Sequence, residues 1–215
     1  MVAEPGTVYS IPVDGVALEG QLDVPDGATG LVVFAHGSGS SRHSPRNNYV
    51  AETLRDRGLG TLLFDLLTER EDRRRENRFD VSLLTDRLVA VTEWTRERPE
   101  TAGLPVGYFG SSTGAAAALR GAARLPSDVG AVVSRGGRVD MAEAALDSVR
   151  APTLFVVGGA DSDVLALNED AYDRLRCEKD LHVVPGAGHL FEGPGELEQV
   201  AERAGEWFDR HLGRQ

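Results

Sequence analysis

Residues 107–119 read GYFGSSTGAAAAL, an apolar strand pattern that becomes an alanine-rich helix pattern within a few residues. The turn between them, Gly110 to Gly114, has the form G-x-S-x-G with Ser112 at its centre. Such a turn holds its central hydroxyl at the end of a sheet, and its glycines let neighbouring backbone approach closely. Ser112 is therefore a candidate nucleophile. Short motifs also recur by chance, so the surrounding sequence must supply the groups that a serine nucleophile needs.

Apolar runs of strand length alternate with helical patterns along most of the chain, and each run is apolar on both faces. Runs of this kind are typical of a buried parallel sheet with helices on both sides. The predicted strands begin at Leu31, Thr61, Val106, Ala131, Thr153 and Leu181, and the predicted helices cover residues 48–57, 81–98, 113–125, 141–149, 165–175 and 196–211.

The first 25 residues follow a different pattern. TVYSIPV and VALEGQLDVP alternate between apolar and polar residues and are joined by Asp14-Gly15, a dipeptide favoured in hairpin turns. The sequence therefore predicts an α/β fold, a mostly parallel doubly wound sheet preceded by an antiparallel strand pair. No internal repeat and no Pro/Gly/Ser-rich linker interrupts it, so we expect one domain over residues 1–215.

Composition narrows the classes of function. The formal net charge of −11 disfavours a nucleic-acid partner, which would require a basic face. No apolar run reaches the roughly 18 residues of a membrane helix and no leader pattern opens the chain, so we expect a cytoplasmic protein without membrane attachment. Cys177 is the single cysteine, which excludes an internal disulfide. The charged stretch Glu69 to Arg78 suggests a solvated loop or a frayed helix that borders the mouth of the site.

A general base and an acid that orients it are expected at the ends of later strands. His189 lies in the glycine-rich segment PGAGHLFEGPGE, between the last strand and the last helix, and is the candidate base. Asp161 and Asp163 both follow the strand TLFVVGG. Asp161 is nearer to the strand end and is the candidate acid, whereas Asp163 better suits a helix cap. The chain order Ser112, Asp161, His189 matches that of hydrolases with a nucleophile elbow.

Two backbone donors are needed for the oxyanion that forms when serine attacks a carbonyl. The segment HGSGSS follows the strand LVVFA, and its small residues allow backbone N–H groups to face the site. We predict the N–H groups of Ser38 and Thr113 as the oxyanion donors. His36 opens this segment at a strand end, where a role in organising the loop is expected rather than a role as base.

The segments HGSGSSRHSPRN, GYFGSSTGAAAAL, VVSRGGRVDMA, VVGGADSDV and PGAGHLFE resemble, in this order, those of the small dienelactone hydrolase-related group of the α/β-hydrolase fold. The resemblance begins near Leu31 and implies a triad of Ser112, Asp161 and His189 and hydrolysis of esters. Dienelactone hydrolase proper uses a cysteine nucleophile, so the serine here puts a dienelactone substrate in doubt. Members of this group are also found joined to a phosphoribosyltransferase domain, which makes such a protein a candidate partner.

The sequence leaves little room for a large cap, because only one short helix fits between the strands ending at Ser134 and beginning near Thr153. Arg42, Arg135 and Arg138 follow strand ends close to the predicted site. They are candidates for binding an anionic substrate, and the alternative is that they form salt bridges with nearby carboxylates. The sequence offers no metal-ligand cluster and no phosphate-binding glycine loop, so we expect neither a metal nor a cofactor.

These residues predict a serine hydrolase that cleaves carboxylic ester, lactone or thioester bonds through an acyl-enzyme on Ser112. Two alternatives remain open at this point. One is an acyltransferase that uses an acceptor other than water. The other is an inactive hydrolase fold that serves as a binding module.

Overall fold

The computed structural model describes residues 6–213, whose eight strands form one sheet in the order β1-β2-β4-β3-β5-β6-β7-β8. The strands are β1 (Thr7–Val13), β2 (Val16–Asp23), β3 (Leu31–Ala35), β4 (Gly60–Phe64), β5 (Val106–Ser111), β6 (Val129–Arg135), β7 (Thr153–Gly158) and β8 (Lys179–Val184). The helices are α1 (Pro45–Asp56), α2 (Glu69–Asp72), α3 (Arg75–Phe79), α4 (Val81–Arg96), α5 (Thr113–Arg124), α6 (Ser162–Arg174) and α7 (Glu196–Leu212), with a 3-10 helix over Val139–Ser148.

Strands β3 to β8 run parallel to one another, and β2 pairs antiparallel with both β1 and β4. The hairpin between β1 and β2 turns at Asp14 and Gly15, which have φ values of 45° and 80°. Positive φ at both turn residues matches the right-handed twist of the two strands. The predicted fold class, a mostly parallel sheet with an N-terminal antiparallel pair, is confirmed.

Helices cover both faces of the sheet, which explains why its central strands are apolar on both faces. Helices α1 and α7 pack on one face, where Val32 and Phe34 of β3 meet Leu54 and Phe208. Helices α4, α5 and α6 and the 3-10 helix cover the other face, where Val33 belongs to the second core cluster. Alternate residues of one strand thus pack into the cores on opposite faces of the sheet.

The connection between β6 and β7 consists of the 3-10 helix and its flanking turns, and no large cap is inserted there. The predicted element over residues 141–149 is therefore present as a 3-10 helix rather than an α-helix. No large insertion therefore covers the end of the sheet where β3, β5, β6 and β7 finish.

The charged segment 69–78 differs from the predicted loop or frayed helix, because it forms α2 and α3. Thr68 and Glu71 cap α2 reciprocally, each side chain bonding to the other residue's backbone N–H. Glu71 also accepts a hydrogen bond of 2.8 Å from Arg87 of α4, whose side chain is only 6% exposed. A capped helix tied to a buried guanidinium holds this segment against the body of the protein.

Within residues 6–213, no helix combines the length and the apolar composition that crossing a membrane requires. The same part of the chain contains no group of three or more His, Cys, Asp or Glu side chains arranged to hold a metal ion.

Candidate active site

Ser112 lies at the turn between β5 and α5, in a backbone conformation that side chains rarely adopt, with φ 52° and ψ −120°. The surrounding glycines make this turn feasible. A Cβ atom on Gly114 would lie 2.5 Å from the carbonyl oxygen of His36 and closer still to that of Ala35, and one on Gly110 would lie 2.5 Å from Cα of Ala115. The strand and the helix therefore meet at a distance that only glycine permits, which places Ser112 at the edge of the sheet.

His189 and Asp161 are joined by a hydrogen bond of 2.7 Å between Nδ1 and a carboxylate oxygen. Asp161 directly precedes α6 and makes no capping bond with its side chain, whereas Asp163 is exposed in the first turn of that helix. With Nδ1–H donating to Asp161, the Nε2 atom of His189 is the acceptor, as a general base requires.

The loops that carry Asp161 and His189 are tied together through their backbones. Gly159 N–H donates to the Val184 carbonyl at 2.8 Å, and Ala160 N–H donates to the Ala187 carbonyl at 2.9 Å. These bonds extend the pairing of β7 and β8 beyond the strand ends, so the distance between the carboxylate and the imidazole is set mainly by backbone contacts.

The segment after β6 brings His189 towards Ser112. The backbone N–H of Arg138 donates to the Ser112 carbonyl, and that of Ser112 donates to the Arg135 carbonyl. Gly136, between these two arginines, has φ 52°, and a Cβ atom on it would lie 3.3 Å from Cε1 of His189. No hydrogen bond joins Ser112 Oγ to His189 in the described part of the chain, and such contacts often tighten only when substrate binds.

Ser38 and Thr113, the predicted oxyanion donors, line one narrow cavity next to Ser112. A Cβ atom on Gly37 would lie 3.1 Å from Cβ of Ser112, so the loop after β3 directly adjoins the nucleophile turn. Asp72 and Arg78 complete the cavity wall. These two side chains were not predicted from the sequence, although their segment was expected to border the mouth of the site.

His36 has a structural position rather than that of a base. Its Nε2 atom accepts the Leu66 N–H at 3.0 Å, and its Nδ1–H donates to the Gly37 carbonyl at 2.9 Å. Burial lowers the pKa of His36, so the ring is held neutral at physiological pH. It links the loop after β3 to the loop after β4, in agreement with the predicted role as loop organiser.

A larger cleft of about 440 Å³ adjoins this cavity, and His36, Leu67 and Asp72 line both. Its remaining wall comes from β2, the oxyanion loop and the segment after β4. Arg42 and Asp65 lie within it. This cleft has the volume for part of a small-molecule substrate.

The three arginines proposed as substrate contacts have different surroundings. Arg42 forms ion pairs with Asp65 and, at 2.6 Å, with Glu19. Arg138 forms a pair with Asp140 at 2.8 Å, and this contact raises the pKa of Arg138. Arg42 and Arg138 therefore form salt bridges, the alternative to substrate binding that the sequence left open. Arg135 has no carboxylate partner among residues 6–213.

A protein-family model described as the dienelactone hydrolase family matches residues 28–212. The chain belongs to this family. A crystal structure of dienelactone hydrolase from Anabaena variabilis is 54% identical with a TM-score of 0.93, covering 97% of this chain and 100% of that one. Est1E from Butyrivibrio proteoclasticus has a TM-score of 0.81 at 17% identity, over 95% of this chain and 98% of its own, and shares the fold.

Two Mycobacterium tuberculosis proteins, provisionally named phosphoribosyl transferases, are 59% identical to this chain over 197 residues. The match covers 92% of this chain but 44% of theirs, so the chain spans less than half the length of these curated relatives. Membership of the dienelactone hydrolase family supports a hydrolase of the esterase kind.

Proposed function

We propose that this dienelactone hydrolase family member is a serine esterase whose nucleophile, base and acid are Ser112, His189 and Asp161. The observation that supports it best is the 2.7 Å contact between Asp161 and His189, formed beside a serine in a strained strand-to-helix turn. A strained backbone at a partly exposed serine costs stability, and such strain is typical of catalytic turns.

In this mechanism Nε2 of His189 removes the proton of Ser112 as its oxygen attacks the substrate carbonyl. The N–H groups of Ser38 and Thr113 stabilise the negative oxygen of the tetrahedral intermediate. His189 then protonates the leaving alcohol, and the C–O bond to that alcohol breaks to leave an acyl-enzyme. A water molecule, deprotonated by His189, releases the acid and restores the Ser112 hydroxyl.

Three further features of the structure suit this mechanism. Asp161 holds His189 in the tautomer that leaves Nε2 free to accept a proton and stabilises the imidazolium that forms. Because no large cap covers the sheet end, the site is accessible to esters of varied shape. The cleft of about 440 Å³ beside the oxyanion cavity is the proposed place for the larger portion of such an ester.

Hydrolysis of short-chain p-nitrophenyl esters by the wild type and by Ser112→Ala tests the proposal. Loss of the nucleophile of an intact triad reduces turnover by about a millionfold, within assay limits. The matched control is Ser111→Ala. The Oγ atom of Ser111 is buried and donates a hydrogen bond of 3.1 Å to Asn47, so this hydroxyl is engaged away from the reacting atoms. Mass spectrometry of the wild type mixed with an ester whose acyl-enzyme hydrolyses slowly should show one acyl group on Ser112. Ser112→Ala activity equal to wild type would exclude the mechanism.

A second candidate function is a binding module for a phosphoribosyltransferase. It is motivated by the Mycobacterium tuberculosis relatives, in which a segment 59% identical to this chain belongs to a chain more than twice as long as the match. An organophosphorus probe for active serines separates the two. Labelling of Ser112 supports the esterase, whereas no labelling together with no ester hydrolysis would favour the module.

A further inference from the structure

Asn168 is a polar residue on the buried face of helix α6. Val164 and Ala171 are the other buried residues of this helix, and Asn168 between them is fully buried. An apolar side chain is expected at such a position, because burying an amide costs stability unless its polar atoms are hydrogen-bonded. The Oδ1 atom of Asn168 has no hydrogen-bond partner among residues 6–213. Asn168 is therefore not a residue chosen for stability alone.

The Nδ2 group of Asn168 donates both of its hydrogens to carbonyl oxygens. One bond, of 2.8 Å, goes to Val164, one turn earlier on the same helix. The other, of 2.9 Å, goes to Gly137 in the short segment 136–138 that follows β6. The bond to Gly137 is thus the one that joins α6 to a different part of the fold.

This segment touches both reacting groups of the proposed triad. The backbone N–H of Arg138 donates to the Ser112 carbonyl at 3.0 Å, and Gly136 packs against the ring of His189. Gly137 lies between these two contacts. A shift of its peptide group would therefore change the position of the nucleophile turn, of the imidazole or of both.

The relation between Ser112 and His189 depends on this segment more than the relation between His189 and Asp161 does. Backbone bonds between the ends of β7 and β8 already fix the imidazole next to the carboxylate. Within residues 6–213, Ser112 Oγ and His189 share no such bond, so their alignment relies on the backbone that packs between them. The Asn168 amide holds that backbone from the opposite side.

We propose that Asn168 is a positioning residue, which holds the Gly137 carbonyl and thereby aligns Ser112 with His189. The inference rests on the proposed esterase function and adds a residue of α6 to its machinery. Asn168 is buried away from solvent and bonds only to backbone carbonyls, so it neither binds substrate nor transfers a proton. Its loss should lower kcat and leave KM nearly unchanged.

Two variants remove the bond to Gly137 in different ways. Asn168→Leu keeps a side chain of similar volume without a donor. Asn168→Thr supplies a hydroxyl that bonds to the carbonyl four residues earlier, here Val164, but is too short to reach Gly137. Both should lower kcat for a p-nitrophenyl ester by about 10- to 100-fold, because small misplacements of reacting groups have effects of this size. Active sites are counted by titration with an organophosphorus probe, so that unfolded protein does not enter kcat.

Leu175→Ala is the matched control, because Leu175 is buried at the C-terminal end of the same helix, two turns beyond Asn168. It should lower the unfolding midpoint through lost apolar contacts and keep the wild-type kcat per titrated site. An equal loss of kcat in Leu175→Ala would overturn the inference, since it would reflect a general loosening of α6. Wild-type kcat per titrated site in both Asn168 variants would overturn it as well.

The rate at which the probe labels Ser112 gives a second readout that needs no turnover. Labelling requires His189 to activate Ser112, so it should slow in Asn168→Leu and Asn168→Thr by a factor similar to the loss in kcat. A lower kcat with a wild-type labelling rate would contradict the inference, because the two reacting groups would then still be aligned. Esterase activity that persists in Ser112→Ala would overturn the proposed function, and this inference with it.

Discussion

The carboxylate of Asp161 and the Nδ1 atom of His189 lie 2.7 Å apart on loops that follow two neighbouring strands, β7 and β8. The side chain of Asp161 is 17% exposed and that of His189 is 40% exposed. The carboxylate is therefore shielded, while the imidazole keeps one edge open to a substrate. In the proposed mechanism, Asp161 therefore holds the tautomer of His189 without contacting the substrate.

Asp161→Asn should reduce kcat for a p-nitrophenyl ester by about 10⁴-fold, because an amide that donates to Nδ1 leaves Nε2 protonated and unable to act as base. KM should change much less, since the substrate does not touch residue 161. Steady-state kinetics on both parameters are the measurement. Asp163→Asn is the control, because that carboxylate is exposed on α6, and its activity should equal that of wild type. Equal losses in the two variants would contradict the assignment.

The close approach of α5 to the end of β3 gives a second prediction. Gly114→Ala would place a methyl group 2.5 Å from the His36 carbonyl oxygen and nearer still to that of Ala35. Since backbone must move to accommodate it, we expect a loss of about 1–3 kcal/mol in the free energy of unfolding, together with lower esterase activity. Urea unfolding measures the first effect.

Gly103→Ala is the control for this prediction, because no atom lies within 4 Å of a Cβ at that position and its φ is not positive. The free energy of unfolding of Gly103→Ala should match that of wild type or exceed it slightly, because alanine has fewer conformations than glycine in the unfolded chain. A stable and fully active Gly114→Ala protein would contradict this prediction, because it would show that α5 can lie further from the end of β3 without loss of function.

The strands and the chain order of the candidate residues could be predicted because both depend on local sequence. Strands such as β3 and β7 are buried along their whole length, so both of their faces are apolar and the pattern is unambiguous. The candidate residues follow strand ends, which parallel topology brings to one edge. The hairpin was likewise fixed by Asp14-Gly15, whose positive φ values the turn requires.

What the sequence did not provide are features that depend on distant partners. The sequence of segment 69–78 is typical of a solvated stretch, but Glu71 accepts a hydrogen bond from the buried Arg87, sixteen residues later in the chain. Helix α1 begins at Pro45, three residues before the predicted start, because Ser44 accepts the Asn47 N–H. The difference between the paired Arg42 and the unpaired Arg135 is likewise set by which carboxylates lie near them in space.

His36 gives a pH-dependent prediction. Burial lowers its pKa below the ordinary value of 6.5, outweighing the Gly37 carbonyl and the carboxylates of Asp65 and Asp72, which act in the opposite direction. The unfolded chain therefore binds a proton on this residue at a higher pH than the folded protein does. The contribution of His36 to stability is fully present above about pH 6.5 and is lost as the pH falls towards the folded pKa, by at most about 1.4 kcal/mol per pH unit.

His36→Gln should abolish this part of the pH dependence, because an amide does not titrate and its oxygen can still accept the Leu66 N–H. Urea unfolding at pH 7.5 and at pH 5.5 should show a smaller drop for His36→Gln than for wild type. His211, whose pKa is also lowered by burial, is unchanged in both proteins and cancels in the comparison. The exposed His43, as His43→Gln, is the control and should keep the wild-type drop. Identical drops in wild type and His36→Gln would mean that His36 can be protonated in the folded protein, and that its bond to Leu66 is weaker than the 3.0 Å distance indicates.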